Sequence, residues 1–235
     1  MVKRALVGVS SSPNVNTGHL YTDLPPLTIH SARILHLGRT VSLELSDDSL
    51  LVISPSYLSE TSFDSEMETI TSFEAGRELS TYEAEELRFV DECVRAEAAA
   101  LRLVARAEQN SVALTAKLER RTFGRRAVKA VMSHLLVENL INDERYAESW
   151  IRARLSLRKA ESPNALCAAL QRRGISKKLA HTALTAALNP EDEYDLLLRY
   201  IEKSKSSQSN SNFSLKVHLK YEGFSAIALE SYFDG

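Results

Sequence analysis

A unit of about fifty residues occurs three times in this chain, and a period of that length is the mark of stacked helical modules. Leu114, Leu118 and Phe123 align with Leu166, Leu170 and Ile175, and again with Leu215, Leu219 and Phe224, at offsets of 52 and then 49 residues. Five residues after each Phe or Ile stands another apolar residue: Val128, Ala180, Leu229. A single module of this size cannot bury its apolar face alone, so neighbours must stack and share a core. Such arrays bind an extended partner along a shared face, which makes the repeat a statement about function as well as fold.

The whole chain has the composition of a soluble globular protein: 235 residues, 44% apolar and 26% charged, with eight Gly and six Pro. No apolar run reaches the roughly 20 residues that span a bilayer. Met1 to Val9 holds too few apolar residues for a secretory core segment, and two cysteines, Cys93 and Cys167, cannot build a disulfide framework or a structural zinc site. A cytoplasmic location is expected. The net charge of −2 hides a segregation: −8 over residues 1–110, +9 over 111–189 and −3 over 190–235. A basic block between acidic flanks suits a polyanion or an acidic protein groove.

Local signals divide the chain. Residues 1–26, with Pro13 and Pro25-Pro26, are expected to form a flexible tail. Residues 27–79 form a small β region plus an acidic loop: alternating stretches at 27–36 and 40–45 flank Gly38, a turn at Ser46–Ser49 leads into 50–54, and 56–79 is acidic and loop-like. A connecting helix and the first repeat occupy 80–141, beginning at a capping box, Ser80 and Glu83. The second and third repeats occupy 142–189 and 190–235. Ser162-Pro163 and Asn189-Pro190 each place a capping residue before a Pro at the first helical position. Gly174 and Gly223 mark left-handed helix ends; Thr122 holds that place in the first unit, so its cap is expected to be the least regular. Ser204–Asn212 is expected to be a polar loop inside the third unit. The expected class is mainly α: three tandem three-helix, helix-turn-helix-like repeats behind a small β-hairpin or three-stranded region.

The repeat register also orders charge. Arg120 and Arg121 correspond to Arg172 and Arg173, and Arg125 and Arg126 to Lys177 and Lys178; in the third unit Lys220 is near the first pair, while Ala226 and Ile227 replace the second. The connecting helix adds Arg152, Arg154, Arg158 and Lys159, with Arg154 and Arg158 expected on one face by their i,i+4 spacing. Single basic residues on helices ordinarily belong to solvated faces; the shared register and the +9 block are what mark this set as a binding face.

Nothing else carries chemistry. The six histidines show no metal-ligand spacing, and no phosphate loop, nucleophile elbow or Cys–base pair is present in local sequence. Cys167 belongs to an apolar face, Tyr146 and Trp150 to core packing, and Asp143-Glu144 to the first turn of a helix opened by Asn142. No catalytic residue, cofactor or metal is expected, and the chain is not expected to be an enzyme.

The stretch Leu140-Ile141-Asn142-Asp143-Glu144-Arg145-Tyr146-Ala147-Glu148-Ser149-Trp150-Ile151-Arg152-Ala153-Arg154-Leu155, followed by Leu166, Leu170-Gln171-Arg172-Arg173-Gly174-Ile175-Ser176, resembles the signature of the RecX family of recombinase regulators. Ala100–Leu103 with Ser111, Leu114, Lys117 and Leu118 resembles its first module, and Leu219, Gly223, Phe224 and Ser225 its last. The strand region followed by Gly76-Arg77-Glu78-Leu79 is similar to the N-terminal part of longer members. The likeness covers residues 70–235 well, 27–69 loosely and 1–26 not at all. It implies three three-helix modules, a curved array whose basic, concave side lodges in the groove of the RecA–single-stranded-DNA filament. It further implies limits on filament growth, ATP hydrolysis and strand exchange; the filament's DNA phosphates, with free DNA as a further candidate, are the expected contacts, and no membrane partner and a monomeric state are expected. A binding role is carried over onto Arg120, Arg121, Arg172 and Arg173, which match the basic places of the module motif. The sequence departs from the family pattern at Thr122 and Asn139, where Gly is usual, at Ala113, near a usual acidic place, and in its long acidic N-terminal third.

Read without the resemblance, the residues leave two other readings open. One is a helical-repeat adaptor for an acidic protein. The other is a stand-alone helix-turn-helix DNA-binding protein, since the second and third units contain helix–Gly–helix turns.

Overall fold

The computed structural model describes residues 26–35, 40–58, 73–205 and 212–234. The expected tail over 1–26, the turn at Gly38, most of the acidic loop and most of the Ser204–Asn212 loop lie outside the described residues.

Period-two alternation builds the sheet. β1 (Leu27–Leu35), β2 (Thr40–Leu45) and β3 (Leu50–Ile53) are antiparallel neighbours, with Leu43 opposite both Ala32 and Leu51. Val41, Leu43 and Leu45 face inward and are buried, while Glu44 between them stands in solvent. The short helix α1 (Pro55–Leu58) follows and buries Tyr57 and Leu58. The segment expected to be only loop then supplies a fourth strand, β4 (Glu78–Leu79), which pairs with the free side of β1: Leu27 opposite Leu79, Thr28 opposite Glu78. Among the described residues the sheet is therefore four-stranded, in the order β3-β2-β1-β4. Two residues are too few to display an alternation, and this strand is defined by backbone pairing alone.

A sheet this small needs a partner, and α2 (Thr81–Val104) is it. Ser80 caps α2 reciprocally with Glu83: the Ser80 hydroxyl accepts from the Glu83 N–H at 3.2 Å, and the Glu83 carboxylate accepts from the Ser80 N–H at 2.8 Å. Leu87, Val90, Cys93 and Ala96 line its buried face in one core with Ile29, Leu43 and Ile53. Asp91, itself buried, accepts the Val52 N–H of β3 at 2.9 Å and pairs with Arg95 at 2.8 Å.

Among the described residues eight helices follow: α3 (Ser111–Glu119), α4 (Arg125–Val137), α5 (Asp143–Ser156), α6 (Pro163–Gln171), α7 (Lys177–Ala187), α8 (Pro190–Lys205), α9 (Asn212–Tyr221) and α10 (Ala226–Phe233). The fold is mainly α, an array of three-helix repeats behind the sheet. Leu118, Leu170 and Leu219, aligned in the repeat, are all fully buried, each contributing on the order of 2 kcal/mol relative to exposure. One core joins the sheet to α2, α3 and α4; a second lies within α5, α6 and α7; a third gathers Leu166 with α8, α9 and α10. Trp150, Leu155 and Leu184 pack against both the second and the third, so these two cores are not independent.

Side chains from neighbouring units complete the caps. Ser162 opens α6 and donates its hydroxyl to Glu222 at 2.6 Å; Asn164 donates to the Tyr221 carbonyl at 2.7 Å. Ser111, at the start of α3, gives its N–H and hydroxyl to the two oxygens of Asp143 at 2.7 and 2.6 Å. The left-handed turns sit at these junctions. Gly174 has φ +91°, and a Cβ there would lie 2.8 Å from the Val112 side chain; Gly223 has φ +92°, and a Cβ there would lie 2.6 Å from Asn164 Oδ1. Val112 and Asn164 hold the same register position in successive units, as do the two glycines, so both junctions use one contact. Glycine is demanded twice over, by the dihedral and by the neighbour. Thr122 holds the turn in the first unit at φ +65°. Ile175 and Phe224 close their turns with N–H bonds to Leu170 and Leu219 at 3.2 and 3.3 Å, a bond that Phe123 does not make among the described residues.

Candidate functional site

The basic residues singled out by register fall into two physical groups. Arg120 and Arg172 are the C-cap residues of α3 and α6, followed by Arg121 and Arg173 and then by the left-handed residue. Arg125 and Arg126 open α4, and Lys177 and Lys178 open α7. A cation in the first turn opposes the helix macrodipole, at about 0.3–1 kcal/mol each, so helix stability is no reason for these four to be basic. All eight are exposed.

Neutralisation separates them. Arg126 meets Glu86 of α2 fork to fork, Nη1 to Oε1 at 2.7 Å and Nη2 to Oε2 at 2.8 Å, with its guanidinium 3.7 Å from the centre of the Phe89 ring. Glu86 is buried, and the hydrogen bonds from Arg126 hold its carboxyl below the usual carboxylate range. This cation braces α4 on α2. Arg173 donates to the Ala169 carbonyl at 2.8 Å and lies 4.7 Å from the Trp150 ring centre. By contrast Arg120, Arg121, Arg125, Arg172, Lys177 and Lys178 make no ion pair among the described residues.

Arg152 and Arg154 on α5, and Arg158 just past its end, each meet an acid. Arg154 grips Glu161 by Nε and Nη2 at 3.0 and 2.6 Å and lies 5.3 Å from the Trp150 ring centre. Arg152 pairs with Glu148 at 3.1 Å. Arg158 does not share a helix face with Arg154: α5 ends at Ser156, and Arg158 takes φ +51°. The i,i+4 rule assumes a helix that continues, and this one stops two residues early. Arg158 turns instead toward Asp195 of α8, 3.7 Å away, and lines with Arg152, Arg199, Asp192 and Asp195 a cleft of about 420 Å³. Within it Arg199 pairs with Asp195 at 3.0 Å, so acids answer the arginines and the cleft is a junction between the second and third units.

Two devices escaped the sequence reading. Arg145 joins the first two units: it donates to Glu108 at 2.7 Å and to the Asn139 and Leu140 carbonyls at 3.2 Å each. A carboxylate in the first helix of a unit also holds the N-cap of the third helix. Glu92 accepts from the Gly124 N–H at 2.7 Å, and Glu193 accepts from both the N–H and the hydroxyl of Ser225 at 2.7 Å each. Both pairs are 32 residues apart, and an acid 32 residues before an N-cap was the available signal. No group of three or more His, Cys, Asp or Glu able to hold a metal occurs among the described residues. Cys167 is buried, 3.8 Å from His181 Nδ1, and burial pushes its thiol up, away from a reactive thiolate. No helix of the described residues is long and apolar enough to cross a membrane.

Comparison with known proteins bears on this arrangement. A family profile described as RecX, second three-helix domain, matches residues 142–184. The regulatory protein RecX of Treponema pallidum (strain Nichols) is 38% identical over 115 residues, covering 49% of this chain and 70% of that protein. The RecX protein of Clostridium perfringens (strain 13 / Type A) is 32% identical over 113 residues, 48% of this chain and 51% of its own length. A crystal structure of a regulatory protein RecX superposes with a TM-score of 0.63 at 18% identity, over 89% of this chain and 100% of the other, and so shares its fold.

Proposed function

This chain belongs to the RecX family of regulatory proteins, and on that premise we propose that it binds the RecA filament on single-stranded DNA and limits its activity. The observation that carries the reading is the recurrence of uncompensated cations. Arg120 and Arg125 in the first unit match Arg172 and Lys177 in the second, with Arg121 and Lys178 beside them, and none of the six meets a carboxylate among the described residues. The segments 80–141, 142–189 and 190–235 act as successive docking units in a cytoplasmic monomer.

The mechanism is occupancy. A protein lying across neighbouring protomers in the filament groove blocks entry of duplex DNA and stops the growing end, with no bond made or broken. Its affinity falls with salt, log K dropping by about 0.7 per phosphate neutralised on a single strand.

The test titrates the protein into its cognate RecA on single-stranded DNA, following ATP hydrolysis at two salt concentrations. Loss of hydrolysis at sub-stoichiometric protein, relieved by salt, is expected. No effect at equimolar folded protein would overturn the reading and favour an adaptor for an acidic protein.

A further inference from the structure

The third unit lacks the basic pairs of the first two, and its second helix carries something else. Two residues before the left-handed turn, where the first units have Arg120 and Arg172, the third has Tyr221. Tyr221 is 81% exposed, as is Phe213 two turns earlier, and Val217 between them is 56% exposed. At 3.6 residues per turn, Lys216, Lys220, Phe213, Val217 and Tyr221 follow one another around about 140° of α9. The opposite side carries Leu219, fully buried in the third core. No acidic residue lies on α9. Lys216 Nζ stands 5.5 Å from the Phe233 ring centre, and neither lysine makes an ion pair among the described residues.

Isolated exposed apolar residues are ordinary; two aromatics more than four-fifths exposed on one helix face with two lysines are not. Their chemistry fits a partner with flat apolar rings on an anionic backbone. We propose that Phe213 and Tyr221 form a base-stacking platform for single-stranded nucleic acid, with Lys216 and Lys220 for its phosphates. Tyr221 holds the register of Arg120 and Arg172, to which the reading above assigns phosphates. This deepens the reading above and rests on it for the course of the strand past those units; the stacking itself is tested apart from RecA. Phe213 and Tyr221 are about 12 Å apart along the helix axis, so they take bases that are not adjacent, and a flexible single strand can splay them where a stacked duplex cannot.

The experiment measures anisotropy of a labelled oligothymidylate with the full chain, without RecA, across a salt series. The double variant F213A/Y221A, both positions being exposed, keeps its helicity and melting temperature. Its Kd should rise at least about tenfold with an unchanged salt slope, because stacking and not charge has been removed. K216A/K220A should instead flatten the slope, by about 0.7 for each phosphate that is no longer neutralised. A Trp placed at 213 (F213W) should show quenched emission on binding. An unchanged Kd for folded F213A/Y221A, or no oligothymidylate binding by the wild type at low salt, overturns the platform. So does a variant that binds oligothymidylate normally but fails to inhibit RecA, which makes the face a protein-docking surface. Aromatic-dependent binding of oligothymidylate without any effect on RecA would leave the platform standing and sink the filament reading instead.

Discussion

Glu193 holds Ser225 by both of its oxygens, one taking the backbone N–H and the other the hydroxyl, each at 2.7 Å. The contact ties the first helix of the third unit to the cap of its last. The same serine oxygen accepts the Ala228 N–H at 3.2 Å, so one residue serves both the brace and the cap. Glu193→Ala should destabilise the protein by about 2 kcal/mol, read as a shift in the urea midpoint, because a part-buried amide loses a charged acceptor. Ser225→Ala and the double variant complete a cycle. Strict additivity of the two single effects would show that the contact carries no coupling.

The Arg126–Glu86 pair predicts a pH dependence. The folded-state pKa of Glu86 lies below its ordinary value of 4.5, held there first by hydrogen bonds from Arg126. The pair's contribution is therefore present above that ordinary value and is lost as pH falls through the lowered folded one. Glu86→Gln should cost about 1–2 kcal/mol at neutral pH, the half-exposed Arg126 limiting the loss. The gap to wild type should close in acid, and a gap that stays constant down to about pH 3 would dismiss the linkage.

The turn residues make a matched set. Thr122→Gly should raise stability by up to about 1 kcal/mol, because a β-branched residue is held at positive φ and its exposed hydroxyl donates to the adjacent Arg121 carbonyl, which water can replace. Gly223→Ala should cost more than about 1–2 kcal/mol, the added Cβ meeting both a left-handed backbone and Asn164. Thermal unfolding of the two variants checks both signs at once; the same sign for both would refute the argument.

Charge reversal should separate binding from folding. R120E/R121E/R172E/K177E alters only residues without ion pairs among the described residues, so melting should hold while inhibition of RecA disappears and the salt slope flattens. Arg173 and Arg126 are left alone in this variant, since each supports the fold through Trp150 or Glu86. Full inhibition by the folded quadruple variant would sink the role assigned to these residues.

The helical array was legible in the sequence because its causes are local and repeated. Leu118, Leu170 and Leu219 recur because each unit buries one, and Ser162-Pro163 announces a helix start with its own side chains. What escaped was set across distance. β4 shows itself only through its pairing with Leu27 and Thr28, some fifty residues upstream. The recurrence of basic pairs was plain, but not which cations are answered: Glu86 reaches Arg126 from forty residues away, and Arg158 leaves the helix that its spacing assumed.

The hydrogen bond from Val52 to Asp91 has a consequence for self-association. Among the described residues β3 is the outer strand of the sheet, and an outer strand offers its unpaired amides to any extended chain that drifts past. Asp91 closes one of those amides with a buried carboxylate from the helix beneath, and four residues leave little else to pair with. One of the edge's open positions is thereby already taken, which leaves an incoming strand less to pair with at this end of the helical array.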